Sequence, residues 1–243
     1  MCFHTSQTQK VKKLEKRYNV SLTKENLREK YNTPRYHLNG FAHPDMLMIP
    51  QEGPAAITPA LWGIVPENKK QEEITAYYKE AVRFGGGLNA QSEKLFQHFI
   101  YKKAALTRRC IIPVTGFFEP HDYKGKKYPF HIKNKENKLI SLAGIYTIVG
   151  NAVTFTILTK KASPLFAKIH NKKFRQPILL PKEVEQDWLK DDLNENNIKE
   201  IIQLNYNEEE LSTYTVSRDL FSPKVNSDTQ SIIQKVHYEG ITI

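Results

Sequence analysis

The chain is poor in cysteine and has no long hydrophobic run. Its two cysteines, Cys2 and Cys110, are too few for a disulfide framework, which favours a reducing environment. No stretch of about 18 apolar residues is present, so no membrane-spanning helix is predicted. Residues 5–17 are polar and lysine-rich, unlike a secretory signal. We therefore expect a cytoplasmic protein without a membrane partner.

Internal repeats, low-complexity segments and an obvious linker are also missing, although 243 residues are enough for a substantial core. This favours one domain, which we expect to cover residues 2–235 and to be followed by a C-terminal tail, 236–243. Helix-like spacing of apolar residues predicts helices over residues 9–30 and 90–105.

Most of the other apolar runs look like short strands, among them "MLMIP", "CIIPVTGFFEP", "LISLAGIYTIV" and "AVTFTILT". Strands and helices do not alternate in the way that a parallel α/β sheet requires. We therefore predict an α+β fold in which a mostly antiparallel sheet curls into a barrel, with helices at its periphery.

Basic residues outnumber acidic ones, with 36 Lys and Arg against 26 Asp and Glu and a net charge of +10. Such a balance favours an acidic partner, of which nucleic acid is the commonest. The basic residues are spread along the chain, so the same charge would also suit simple solubility.

The position of Cys2 is unusual, because it directly follows the initiator methionine. Methionine is usually removed when the second residue is small. Its removal would leave a free α-amine and a thiol on the same residue, a combination whose chemistry neither group has alone.

Three interior stretches also contain candidate residues. "GGGLNAQSE" contains Asn89, "RRCIIPVTGFFEP" contains Glu119 near its end, and "FTILTKKASPLFAKIHN" contains His170 near its end. Each has an ordinary interpretation: Asn89 as a helix cap, Glu119 as a strand end facing water, and His170 as a structural histidine. Glu119 follows a very apolar run, however, and a buried carboxyl there would suit proton transfer near neutrality.

Taken in this order, the cysteine at position 2, "NA..E", "RRC.IP..GF.E", "FTILT" and "IH" resemble the SOS response-associated peptidase (SRAP) family of abasic-site-processing proteins. The motifs "WGIVP" and "AGIY" fit as well, and the resemblance extends from Cys2 to about residue 226. It implies an SRAP-like fold and abasic single-stranded DNA as partner. It implies no cofactor, no metal and no obligate protein partner. It also implies nucleoid association when DNA is bound.

The resemblance implies that mature Cys2 captures abasic DNA covalently. Its α-amine would form a Schiff base with the ring-opened sugar aldehyde, and its thiol would close a thiazolidine that shields the lesion from strand cleavage. The usual pKa of an α-amine is about 7.7–8.0 and that of a thiol is about 8.5, so modest tuning would make both groups nucleophilic. Peptidase-like release of Met1 and lyase-type chemistry are implied too.

The same resemblance assigns roles to three further catalytic residues. Asn89 would hold the N-terminal amine or the sugar-phosphate. Glu119 would shuttle protons during Schiff-base formation and ring closure, and His170 would protonate the ring oxygen of the sugar.

Contacts with DNA are expected from five other residues: His4, Gln91, Arg108, Arg109 and Thr159. His4 would bind a phosphate only when it is protonated. The two arginines also fit a simpler interpretation, a solvated pair that flanks a strand.

The chain departs from the common family pattern in several places. Phe3 and His4 replace a usual Gly-Arg, Gln91 replaces an arginine, and Pro120 replaces a tryptophan. These changes remove a charged phosphate contact and an aromatic surface for bases. The segment "NKKFRQ", residues 171–176, adds three basic residues near the expected site and would compensate.

Two other functions remain open from the sequence. An N-terminal-nucleophile amidohydrolase, such as a glutaminase, also uses an N-terminal cysteine, but it predicts a glycine-rich start and an Asn-Gly pair. A non-catalytic single-stranded DNA-binding domain would bind abasic and intact DNA equally and reversibly.

Overall fold

The fold is given by a computed structural model, which describes residues 2–241. The predicted loss of Met1 and the last two residues of the predicted tail lie outside the described residues. Within them, fourteen β-strands and seven α-helices are joined by turns and short 3₁₀ segments.

The strands, in chain order, are β1 (His4–Gln7), β2 (Ser21–Leu22), β3 (Arg35–Asn39), β4 (Asp45–Pro50), β5 (Ala56–Trp62), β6 (Asn89–Gln91), β7 (Arg109–Val114), β8 (Gly116–Tyr123), β9 (Lys126–Asn134), β10 (Ile140–Val149), β11 (Ala152–Lys161), β12 (Arg175–Pro177), β13 (Leu179–Leu180) and β14 (Leu211–Thr215). The helices are α1 (Val11–Tyr18), α2 (Arg28–Asn32), α3 (Ile74–Ala81), α4 (Tyr101–Thr107), α5 (Pro164–Ile169), α6 (Glu185–Trp188) and α7 (Glu195–Gln203).

Five strands close into a barrel. β11, β10, β7, β4 and β5 are hydrogen-bonded in this order through antiparallel pairs. β5 then pairs with β11 in parallel and completes the ring. The predicted α+β fold with a curled, mostly antiparallel barrel is confirmed.

A second, fully antiparallel sheet has the order β14-β9-β8-β1-β3. β1 therefore lies between two strands although it starts only three residues from the chain start. Its His4 is opposite Phe118 of β8. Because the two strands run in opposite directions, the residues before His4 lie beside the part of β8 that follows Phe118.

One apolar core joins the two sheets. Met48, Ile112 and Phe155 of the barrel are buried in the same cluster as Phe117 and Ile132 of the second sheet. Burying one such side chain contributes roughly 1.5–3 kcal/mol, so this shared core holds the sheets in a defined relative position. Both cysteines are buried in this cluster as free thiols.

Two predicted helices are wrong in extent. The helix over residues 9–30 ends at Tyr18, because Asn19 adopts the left-handed conformation with φ 55°, which asparagine tolerates at a helix end. Within 90–105 only the residues from Tyr101 onward belong to an α-helix, α4. The first residues pair with β11 as β6 instead, because tertiary pairing overrides local spacing.

Residues 236–241 pack back onto the second sheet. The Val236 amide donates to the Thr215 carbonyl at 2.8 Å, the rings of Tyr238 and Tyr128 are 4.8 Å apart, and Ile241 is buried in the shared core. The division at residue 235 stays a prediction. No helix among residues 2–241 is long and apolar enough to cross a bilayer.

Candidate active site

Cys2 lies two residues before β1, is fully buried and is held through its backbone. Its carbonyl oxygen accepts a hydrogen bond from Asn89 Nδ2 at 2.9 Å. The next carbonyl, of Phe3, accepts one from the Gly40 amide at 2.8 Å. The Cys2 thiol lies 3.8 Å from the His4 carbonyl oxygen. These contacts give the first residues of the chain one defined position.

Asn89 reaches Cys2 because a tight glycine turn precedes it. Gly85, Gly86 and Gly87 all have positive φ, a conformation that glycine adopts without steric cost. At Gly87 a Cβ atom would lie 2.6 Å from the Ile64 carbonyl oxygen. The turn leads into β6, which pairs in parallel with β11. Asn89 Oδ1 is buried without a hydrogen-bond partner among the described residues, so an acceptor lies beside Cys2.

Glu119 and His170 form a buried pair. Glu119 lies on β8 with its side chain fully buried, and its Oε2 is 3.1 Å from Nδ1 of His170. The same Nδ1 is 3.0 Å from the Arg175 carbonyl oxygen. Because both neighbours of Nδ1 are oxygens, this nitrogen carries a hydrogen, and Nε2 is the ring nitrogen that can exchange a proton.

Helix α5 carries His170 to β8. His121 Nδ1 is 3.0 Å from the Lys168 carbonyl oxygen, and Asn171 exchanges two hydrogen bonds of 2.9 Å with the backbone of Asp122. The helix ends just before His170, so these contacts fix the histidine relative to Glu119. Ser163 is at the N-cap position of α5, but its side chain makes no capping hydrogen bond.

Burial, followed by the negative charge of Glu119, raises the pKa of the Cys2 thiol well above its usual value. The expectation that modest tuning makes the thiol nucleophilic near neutrality is therefore wrong for the chain as folded. The same interaction places Glu119 close to Cys2. The structure thus brings together all four predicted catalytic residues: Cys2, Asn89, Glu119 and His170.

A cavity of about 370 Å³ opens next to these residues. His170 and Pro120 line it on the side of the Glu119–His170 pair. The cavity is otherwise lined by apolar and aromatic groups together with charged ones, namely Phe3, His4, Phe41, Phe221, Asp122, Lys127, Lys172 and Lys173. Sequence reasoning missed Phe41, Lys127 and Phe221, since no local motif marks them and only folding brings their segments together.

Arg109 and Thr159 occupy buried positions that are incompatible with the predicted phosphate contacts. The guanidinium of Arg109 donates to the carbonyl oxygens of Trp188, Ala105 and Leu106 at 2.8, 2.7 and 2.8 Å, and also to that of Lys190. Its donors are used to join β7 to neighbouring segments. Thr159 is fully buried on β11.

Arg108 and His4 also differ from expectation. Arg108 forms ion pairs with Glu52 and Glu67 and does not line the cavity. Burial and the neighbouring His37 lower the pKa of His4 to about 3, so a protonated His4 is not the form present at neutral pH. Gln91 is partly buried on β6, and its contact with DNA stays a prediction.

Residues 2–241 contain no cluster of three or more His, Cys, Asp or Glu side chains that could hold a metal ion.

Solved structures from two bacteria have a fold similar to that of this chain. The fold is similar to that of a protein from Bacteroides thetaiotaomicron, with a TM-score of 0.83 and 26% sequence identity, covering 97% of this chain and 100% of that one. It is also similar to a protein from Bordetella bronchiseptica, with a TM-score of 0.72 and 21% identity over 89% of this chain and 100% of that chain.

Sequence comparison identifies the family. The profile of the SOS response associated peptidase (SRAP) family matches residues 1–223, and the chain belongs to this family. It is 30% identical over 214 residues to the abasic site processing protein YoqW of Bacillus subtilis, covering 82% of this chain and 90% of that protein. It is 26% identical over 166 residues to the abasic site processing protein YMR114C of Saccharomyces cerevisiae, covering 65% of this chain and 42% of that protein.

Proposed function

We propose that this protein captures abasic sites in single-stranded DNA by forming a thiazolidine between Cys2 and the sugar. The observation that carries the proposal is the position of Cys2, which is held by Asn89 next to the buried Glu119–His170 pair. Family membership and the names of the curated relatives support abasic DNA as the target. The protein would work in the cytoplasm, at the nucleoid when it is bound.

The first chemical stage is Schiff-base formation. Once Met1 is removed, Cys2 carries the α-amine, and the buried Asn89 Oδ1 would accept one of its hydrogens; the hydrogen bond from Asn89 Nδ2 to the Cys2 carbonyl oxygen supports this role. His170 gives a proton to the ring oxygen of the abasic sugar while the anomeric hydroxyl releases its own proton to water, so that the ring opens to the aldehyde. The amine nitrogen then adds to the aldehyde carbon, and water leaves as the imine forms.

Ring closure is the second stage. The raised pKa of the Cys2 thiol keeps it protonated while the amine reacts. Its sulfur then adds to the imine carbon, and the thiol proton passes through Glu119 to the imine nitrogen. The thiazolidine that results contains no imine, so it does not promote elimination of the strand. Glu119 and His170 would act in reverse order when the adduct opens.

The test uses purified protein and three oligonucleotides: abasic single-stranded, intact single-stranded, and abasic duplex DNA. We expect a heat-stable shifted band on a denaturing gel with the first only. A shift that denaturation removes from both abasic and intact DNA would leave the non-catalytic binding domain. Glutamine hydrolysis without a shifted band would support the amidohydrolase.

The lysines of the cavity are expected to hold the DNA backbone. Lys172 and Lys173 line the cavity two and three residues after His170, and Lys172 is 3.5 Å from the Asp122 carboxylate that lines it too. Arg175 of the same segment does not line the cavity and is paired with Glu93 at 2.6 Å. Each phosphate contact in single-stranded DNA contributes about 0.7 to the slope of log affinity against log salt concentration. Replacing both lysines with glutamine should therefore reduce that slope by about 1.4.

The control for this experiment is another exposed lysine pair, Lys12 and Lys13 on α1, which lines none of the cavities described here. Replacing that pair with glutamine lowers the net charge equally. An equal loss of salt dependence in both double variants would mean that overall charge, and not the cavity, attracts DNA.

A further inference from the structure

Three side chains form a hydrogen-bonded chain that ends at the cavity. His4 Nδ1 lies 2.8 Å from His37 Nε2, and His37 Nδ1 lies 2.6 Å from Ser227 Oγ. His4 comes from β1, His37 from β3, and Ser227 from the segment that follows the 3₁₀ turn Arg218–Phe221. None of the proposed catalytic steps uses His37 or Ser227.

The segment that carries Ser227 is anchored to β3 by the next residue. Asp228 Oδ1 accepts hydrogen bonds from the amides of Tyr36 and His37 at 2.7 and 3.0 Å, and Oδ2 accepts one from Arg35 Nε at 2.6 Å. A carboxylate bound by three donors is a strong attachment. The Ser227 hydroxyl is therefore held beside the ring of His37.

Both imidazoles in this chain are neutral near pH 7. Burial and the neighbouring His37 lower the pKa of His4 to about 3, and burial lowers the pKa of His37 to about 4. A neutral imidazole has one N–H and one bare nitrogen. The two nitrogens that face each other must therefore share one hydrogen, and the direction of that bond decides which tautomer His4 adopts.

The short distance between His37 and Ser227 favours one direction of this chain. If Ser227 donates to His37 Nδ1, then His37 Nε2–H donates to His4 Nδ1, and the hydrogen of His4 is on Nε2. In the opposite direction His37 Nδ1–H would donate to Ser227 Oγ. The 2.6 Å between these atoms is shorter than the roughly 2.7–3.2 Å of an N–H donor to oxygen, whereas hydroxyl donors reach about 2.5 Å, so the first direction is favoured.

The remaining nitrogen of His4 faces the cavity. His4 lines the cavity that contains Lys172 and Lys173, as well as a second cavity of about 440 Å³ on the side of Ser227. Among the described residues His4 Nε2 makes no hydrogen bond, and it is not among their fully buried unpaired polar atoms. A ligand in the lysine-lined cavity can therefore contact it.

We infer that Ser227 and His37 are positioning residues, which hold His4 in the neutral tautomer whose Nε2–H donates to a DNA phosphate beside Cys2. The phosphate as ligand rests on the proposed function, whereas the tautomer does not. All three bonds then point their hydrogens toward the anion, and aligned bonds of this kind strengthen one another. His4 thus binds phosphate as a directed neutral donor, in contrast to the cationic contact that the sequence suggested.

The tautomer is tested on the free protein. Two-dimensional ¹⁵N–¹H spectra distinguish the hydrogen-bearing ring nitrogen from the bare one, and the signals that disappear in His4→Ala assign His4 among the eight histidines. We expect the hydrogen on Nε2 of both His4 and His37, and a mixture of tautomers in Ser227→Ala. A hydrogen on Nδ1 of His4 in the wild-type protein would overturn the inference, whatever the protein does with DNA.

The contact is tested by reversible binding to an intact single-stranded oligonucleotide, where no adduct forms. His4→Ala and His37→Leu should each weaken binding about tenfold, as expected for a lost hydrogen bond to a charged group. The double variant should be no weaker than His4→Ala, because both changes remove one interaction. His37→Gln, whose amide can donate to His4 Nδ1, should restore most of the affinity.

Ser231→Ala is the control for Ser227→Ala, since Ser231 is exposed and, among residues 2–241, its hydroxyl bonds only to that of Thr229. Losses of affinity that add in the double His4/His37 variant would show that the two histidines act separately, and would overturn the inference. Wild-type protein that binds no single-stranded DNA would instead contradict the proposed function, and the spectra would still decide the tautomer.

The pH dependence separates a neutral donor from a cation. The charged and titratable groups around His4 are His37, Arg35, Asp228, Asp122, Lys127, His170, Lys172 and Lys173. All of them are shared by the wild-type protein and His4→Ala, so the ratio of their affinities isolates His4. We expect a constant ratio from about pH 5.5 to 8, because the imidazole stays neutral there. A ratio that grows as the pH falls through about 6.5 would show a cationic contact and overturn the inference.

Discussion

Replacing Cys2 with alanine should abolish the heat-stable adduct with abasic DNA while leaving reversible DNA binding intact. The variant keeps an N-terminal amine, so it should still form a Schiff base that borohydride traps. Without the thiol, the ring cannot close, and the imine persists long enough for β-elimination to nick the strand. A denaturing gel run with and without borohydride, together with a measurement of strand cleavage, checks each part of this prediction.

Cys110→Ala is the matched control, because Cys110 is the other free thiol and is buried in the same core. It should form the adduct at the wild-type rate once folding is verified. Retention of Met1 should have a greater effect than the loss of the thiol, since the Cys2 nitrogen is then an amide. Mass spectrometry of the crosslinked protein should show a chain without Met1. Full activity in a population that keeps Met1 would rule out the thiazolidine mechanism.

Replacing Glu119 with glutamine should slow crosslinking by about 10²–10⁴-fold, the usual contribution of a placed proton-transfer group. Reversible DNA binding should change little, because the buried Glu119 does not line the cavity. The same substitution should favour the reactive, deprotonated form of the Cys2 thiol. Glu119 raises the pKa of Cys2, so its removal should make the thiol more acidic. A slower reaction despite a more acidic thiol is the signature of a lost proton shuttle.

Single-turnover crosslinking rates measured over a range of pH test this prediction. Glu185→Gln is the control, since Glu185 is also a buried glutamate in an ion pair, with Arg17 at 2.7 Å, but it does not line the cavity. A similar loss of rate in the control would mean that altered stability, and not chemistry at Cys2, explains the effect. An unchanged or faster rate in Glu119→Gln would refute the proton-shuttle role.

The contribution of His170 to the crosslinking rate should depend on its contact with Glu119. His170→Ala is expected to slow crosslinking strongly, and the double Glu119→Gln/His170→Ala variant should be less impaired than the product of the two single effects predicts. Such non-additivity is expected for side chains in direct contact, and these two lie 3.1 Å apart.

Local sequence patterns predicted the strands and the class of fold, because alternating or continuous apolar residues reflect a preference of the segment itself. "CIIPV" and "LAGIYTIV" became β7 and β10, buried neighbours in the barrel. The same patterns were wrong at residues 90–105, where pairing with β11 takes the first residues out of the predicted helix. An ordered set of short motifs also marked Cys2, Asn89, Glu119 and His170, although no single motif distinguished a site from ordinary structure.

The sequence alone determined which groups are available to the fold and the site. These are a cysteine directly after the initiator methionine, strand-forming segments, and a surplus of positive charge. The tertiary structure decided which groups are charged, buried and in contact. It buried Arg109 among carbonyl oxygens, brought His170 to Glu119, and lowered the pKa of His4, which was expected to bind phosphate only when protonated. These outcomes could not be derived locally, because desolvation and the interaction of charges depend on the segments that pack around a side chain, and those segments are distant in the chain.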